Sequence, residues 1–325
     1  MDSSVPRALG LALGFAADRL LGDPARFHPV AGFGQVASRL EARMYAATRR
    51  RGMLFTATLV GGSAAISALV ERRAAHRPVT RTVLTATATW AVLGGTSLGR
   101  EARTIHAQLE ATDLPAARRQ LTHLVGRDTS RLDESEIARA TIESVAENTS
   151  DAVVAPLVLG GLHGIPGLVG YRAANTLDAM VGHRDERYRD FGWASARLDD
   201  LLNLAGARLA ALLATALAPT VGGSSRAALQ AWRRDARHHP SPNAGPVEAA
   251  FAGALGLQLG GVNTYGNRVE DRHTLGTGRG PTAADIDRAR DLADRVSGGS
   301  VVVAAGITLL LGRAGNSGGS HSPTA

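Results

Sequence analysis

The segment IESVAENTSDAVVAPL spaces Glu143, Glu147 and Asp151 four residues apart, so a helix carries them as one stripe, with Asn148 beside Glu147. Like charges at i, i+4 repel by roughly 0.2–0.5 kcal/mol per pair, so this stripe needs a cation against it. Carboxylates with an amide oxygen are hard donors suited to Mg²⁺, an ion that keeps several waters and bridges to phosphate. A second stretch, YRAANTLDAMVGHRDERYRDFGWASARLDDLLN, puts Asn175 and Asp178 on one helix face and Asp199 and Asp200 within a turn of Asn203. Between these acids, Arg172, Arg184, Arg187, Arg189 and Arg197 offer planar forks for phosphate. A third stretch, RHHPSPNAGPVEAAFAGALG, sets His238, His239 and Asn243 on a proline-stiffened turn before a helix of small residues. Adjacent histidines diverge, so a structural turn or one histidine meeting substrate is expected, rather than a two-histidine metal site. A fourth, DRLLGDPARFHPV, carries Asp18, Asp23 and His28 and reads as a helix stopped by Gly22, Asp23 and Pro24. Any one of these stretches alone reads as a solvated helix end or a self-neutralising charge cluster. Together, acids for a metal and arginines for phosphate indicate a site.

Composition removes several chemistries. All 36 basic residues are arginine, so a P-loop and lysine Schiff-base catalysis are excluded. Cysteine is absent, which excludes disulfides, thiolate metal sites and a cysteine nucleophile. GGVNTYG at 260–266 lacks the strand-then-helix setting of a dinucleotide loop, and neither G-x-S-x-G nor H-E-x-x-H occurs. A net charge of +7 and a pI near 10.9 call for an anionic partner. Aromatic residues make up only 4%, and the arginines are scattered without a nucleic-acid-binding motif. Phosphate chemistry and a membrane surface remain; nucleic acid does not.

The elements that must position these residues are helices beside apolar runs. Residues 53–70 (MLFTATLVGGSAAISALV) and 82–98 (TVLTATATWAVLGGTSL) carry no charge. Both are close to the roughly 17–25 residues that span hydrocarbon. Their glycines and alanines suit close helix packing in lipid. Residues 152–171, 201–219 and 296–312 are further candidates, the first holding Pro156 and Pro166 and the second Arg208. The expected fold is all-α: a polytopic membrane protein with about four to five transmembrane helices and helical polar connections. Residues 1–312 are expected to form one domain, and 313–325 a disordered tail. Residues 8–17 look like a signal-peptide core, but Asp18 and Arg19 follow at once, so they are read as a retained first helix. Asp133-x-x-Glu136 and Thr282-x-x-Asp285 have the capping-box spacing that opens a helix, and Pro115 suits the first turn of another.

In order along the chain, LLGDPARFHPV, ESVAENTSDAVVAPL, the Tyr171–Asn203 stretch and HPSPNAG resemble the CobD/CbiB family of cobalamin biosynthesis, the adenosylcobinamide-phosphate synthases. The resemblance covers roughly residues 11–266. It implies a multi-pass enzyme of the bacterial inner membrane that joins a side-chain carboxylate of adenosylcobyric acid to (R)-1-amino-2-propanol phosphate, or a related amino alcohol, using ATP. Corrinoid, amino-alcohol phosphate and lipid bilayer are the expected partners, with association among the pathway's enzymes. On this chemistry Glu147, Asn148, Asp151, Asp178, Asp199 and Asp200 are expected around Mg²⁺. Arg172, Asn175, Arg184, Arg187 and Asn243 are expected to bind substrate or phosphate. Glu147, Asp151 and His239 are the expected catalytic groups, a carboxylate or His239 taking the amine proton. A polytopic transporter and a Mg²⁺-dependent lipid-modifying transferase are the alternatives; the first should hold its ionisable residues within spans, and the second lacks its paired-aspartate signature here.

Overall fold

The computed structural model describes residues 4–22, 29–183, 185–265 and 268–317; Asp23, Pro24, His28 and Arg184 lie outside them. The chain opens with α1 (Ser4–Leu21), α2 (Pro29–Met44) and α3 (Arg49–Thr56). A π-helical turn at Ala57–Gly61 runs into α4 (Gly62–Arg73), and Pro78 opens α5 (Pro78–Val92). Then come α6 (Gly95–Glu110), α7 (Leu114–Leu121) and α8 (Glu134–Thr149). A second π-helical turn, Ser150–Val154, leads to α9 (Ala155–His163) and α10 (Ile165–Val181). The remainder is α11 (Trp193–Leu217), α12 (Ser225–Asp235), α13 (Ala244–Leu255), a hairpin of β1 (Leu259–Tyr265) and β2 (Arg268–Leu275), and α14 (Ala283–Ser317).

Among the described residues three helices, Arg49–Arg73, Trp193–Val221 and Ala283–Ala314, are long and apolar enough to cross a membrane. Ile66, Leu69, Leu212, Val302 and Leu310 on them are exposed, as lipid-facing residues should be. The architecture is that of an all-α membrane protein. Two apolar runs expected as spans are not continuous helices. Residues 82–98 break where Leu93 turns extended and Gly94 precedes α6. Residues 152–171 break at Gly164, whose φ of 70° no helix admits.

The chain divides into two compact units, 1–93 with 155–202 and 301–325, and 94–154 with 203–300. In the first, α1 packs on α5 through Gly10 and Gly14, where a methyl group would run into Thr85 or Thr89. Its apolar centre gathers Ala37, Phe55, Leu59, Leu177, Val181 and Phe191. Glu71 is tied there by Arg7 and Arg81, each at 3.1 Å, and by the Ile165 backbone N–H at 3.1 Å.

In the second unit, α8 and α13 form the middle. All twelve residues of α13 are buried, as are ten of α8. The capping box at the start of α8 is complete: Asp133 accepts from the Glu136 N–H and Glu136 from the Asp133 N–H. Asp285 likewise accepts from the Thr282 N–H and hydroxyl ahead of α14. Residues 260–265 of the GGVNTYG segment lie in β1 of the antiparallel hairpin, which a purely helical reading does not anticipate.

Candidate functional site

The cation that the acid stripe requires is present, and it is protein. Glu143 is buried, and its carboxylate accepts from Arg127 Nη2 at 3.0 Å and from the Gly260 N–H at 2.8 Å, with Arg139 Nη1 at 3.5 Å. It therefore pins the loop before α8 and the start of β1 to the helix. Its role is structural, because both oxygens are committed.

One turn on, Glu147 is only half-buried. It opens on a cavity of about 160 Å³ whose wall also includes Leu124, Arg127, Glu143, Ser144 and Arg272. No described residue makes a hydrogen bond to it. Desolvation pushes its carboxyl above the ordinary value; Arg272 opposes the shift, and Glu143 adds to it.

Beneath lies a second carboxylate, Glu248 of α13, which is fully buried. Arg272 Nη1 approaches it at 3.6 Å and His239 Nε2 at 3.8 Å, and neither carboxylate oxygen has a hydrogen-bond partner among the described residues. Burial drives this carboxyl well above the ordinary carboxylate range, with Glu143 and Glu147 repelling the charged form. His239 is held to a pKa of about 4 by burial and then by the Arg272 charge, so it is neutral at pH 7. Its Nδ1 accepts the Ser241 N–H at 3.1 Å, which leaves the imidazole proton on Nε2, facing Glu248. Of the two adjacent histidines only His239 turns inward; His238 is exposed, its ring 5.8 Å from His273.

The other expected site residues are engaged as follows. Asp151, in the π-helical turn, accepts from Asn203 Nδ2, and Ser150 bonds the same asparagine at 3.1 Å. The Asn148 amide donates back to the Ser144 carbonyl at 2.9 Å. Asn243 accepts from Arg208 Nη1 at 2.9 Å, which accounts for the arginine inside an apolar run. In the first unit Arg172 caps the end of α5, its Nε 2.6 Å from the Val92 carbonyl, and Nη1 donates to Asn175 at 3.2 Å. Asn175 in turn donates to the buried Asp199 at 3.3 Å, and Asp178 stands one turn further along α10. Arg187 bonds Glu41 at 3.0 Å and lies over the Tyr45 ring, and Asp200 has Arg197 at 3.7 Å. Arg184 is outside the described residues.

The six residues expected around a metal are thus divided between the two units. Among the described residues no group of three or more His, Asp or Glu could hold a metal ion.

The sequence reading passed over Arg127, Glu248 and Arg272. Glu248 had a signal: it is the one charge in α13, AGPVEAAFAGAL. A lone acid in a helix of small apolar residues has either a buried partner or a function. Arg127 and Arg272 had none, because they arrive from a loop and a hairpin whose placement is tertiary.

The family model described as CobD/Cbib protein matches residues 11–293. The chain is 50% identical over 299 residues to a cobalamin biosynthesis protein CobD of Mycobacterium tuberculosis, covering 92% of this chain and 95% of that protein. To the CobD of Geobacter metallireducens it is 45% identical over 264 residues, 80% and 83% of the two chains. To that of Chromobacterium violaceum it is 42% identical over 293 residues, 89% and 92%. No solved structure matches.

Proposed function

The chain belongs to the CobD/CbiB family, and we infer from that membership that it is a membrane enzyme of cobalamin biosynthesis that forms an amide bond. The substrates are adenosylcobyric acid and (R)-1-amino-2-propanol phosphate or a related amino alcohol, the product is adenosylcobinamide phosphate, and ATP supplies the energy. The observation that carries this reading is the match over residues 11–293, which takes in every polar stretch with chemical potential. The setting is the bacterial inner membrane, crossed more than once.

The chemistry defines what the residues must do. A carboxylate does not acylate an amine in water, because oxide is not a leaving group. Phosphoryl transfer from ATP to the corrinoid carboxylate, with ADP leaving, makes that oxygen a phosphate. The neutral amine then attacks the carbonyl carbon, phosphate departs, and the nitrogen loses its proton. Mg²⁺ on the triphosphate would neutralise charge on the transferring group. Arginine forks serve the phosphates. Glu147, the carboxylate that opens on the cavity, is suited to receive the amine proton. His239 is fully buried and neutral, so it belongs behind the reacting atoms.

The test is direct. Detergent-purified protein is incubated with adenosylcobyric acid, aminopropanol phosphate and MgATP, and the corrinoid mass is followed. The expected result is a corrinoid of the condensed mass that is absent without ATP. No product from folded protein, with the related amino alcohols also offered, would overturn the ligase reading in favour of a transporter.

A further inference from the structure

The cavity beside Glu147 is small. Its volume is about 160 Å³. A nucleotide or a corrin is several times larger, so neither fits wholly inside it. The charges on its wall narrow the choice. Glu143 is consumed by Arg127, Arg139 and the Gly260 N–H. Glu147 and Arg272 are then opposite charges on the wall of one small space, and no described residue hydrogen-bonds Glu147. Arg272 stands 3.6 Å from the buried Glu248 and 3.6 Å from Glu270.

We propose that this cavity is the binding site for a small molecule bearing both an ammonium and a phosphate, the ammonium held by Glu147 and the phosphate by Arg272 and Arg127. The assignment rests on the ligase reading, and it makes the amino-alcohol phosphate, rather than ATP or corrinoid, the occupant. A phosphatidylethanolamine headgroup carries the same two charges, so the experiment separates a soluble ligand from a lipid.

The full chain is placed in nanodiscs of phosphatidylcholine and phosphatidylglycerol, and binding of (R)-1-amino-2-propanol phosphate is measured by calorimetry. Isopropyl phosphate, which keeps the phosphate and lacks the amine, is titrated in parallel. Expected results are a tenfold or greater loss of affinity for the amino-alcohol phosphate in Glu147→Gln, recovered in part by Glu147→Asp, with isopropyl phosphate changed less than twofold. Arg272→Gln weakens both ligands. Unchanged binding in Glu147→Gln and Arg272→Gln, while wild-type protein in the same discs makes condensed corrinoid, overturns the site and leaves the ligase reading standing. Wild-type protein that neither binds nor makes product overturns both. Loss of soluble-ligand binding once phosphatidylethanolamine is added to the discs assigns the cavity to the lipid, and that also overturns the proposal.

Discussion

Each unit buries a glutamate beside arginine, and the two are treated in opposite ways. In the first unit Glu71 receives three hydrogen bonds, from Arg7, Arg81 and the Ile165 N–H, all at 3.1 Å. In the second, Glu248 is more deeply buried and receives none, with its neighbours standing off at 3.6 and 3.8 Å. A buried charge that is paired and bonded can be sustained; one left without donors is costly and tends to neutralise. Glu71 is therefore a fastening that joins α1, α4, α5 and α10. Glu248 serves no such end, and its place beneath a cavity lined by Glu147 and Arg272 is why that region is the candidate site.

The contrast breaks most readily on stability. Glu71→Ala strands two arginines and a backbone N–H, and a loss of about 3–5 kcal/mol is expected, measured by SDS titration in mixed micelles. Glu248→Gln has the same burial and should lose nothing or become more stable. Equal losses in the two variants would erase the distinction between them. Glu143 sharpens the point, because it lines the cavity yet is bonded like Glu71. Glu143→Gln is expected to cost about 1.5–3 kcal/mol, the worth of a hydrogen bond to a charged group. A Glu143→Gln protein of wild-type stability would move this residue from the scaffold to the binding site.

How far the sequence revealed this division depends on the residue. Helix starts were legible where their chemistry is local: Asp133 with Glu136, Thr282 with Asp285, and the glycine stop at Gly22, whose φ is 67°. The acid stripe was legible too, and so was its need for a cation. Its meaning was not, because Arg127 and Arg139 satisfy Glu143 while Glu147 is left facing the cavity, a difference set by side-chain reach rather than spacing. The hairpin was missed because β1 carries Gly260 and Gly261 at positive φ with a bulge, which blurs strand alternation. Two apolar runs misled for the opposite reason, since their composition suits a span while Gly94 and Gly164 break the helix.

The smallest effect concerns pH, and it tests whether Glu248 and His239 behave as one buried pair. Burial holds the Glu248 carboxyl well above its ordinary value of 4.5, so above that pH the folded protein keeps a proton that the unfolded chain releases. Its contribution to stability is complete below 4.5 and falls as pH rises toward the folded value. His239 runs the other way. Its pKa drops from 6.5 to about 4, so between those values the unfolded chain binds the proton and stability climbs with pH. Between pH 4.5 and 6.5 the two slopes oppose, each at most about 1.4 kcal/mol per pH unit. Glu248→Gln should expose the rise and His239→Asn the fall, read from unfolding midpoints across that window. Slopes unchanged in both variants would mean that neither group titrates as its burial requires, and Glu248 would then be no different in kind from Glu71.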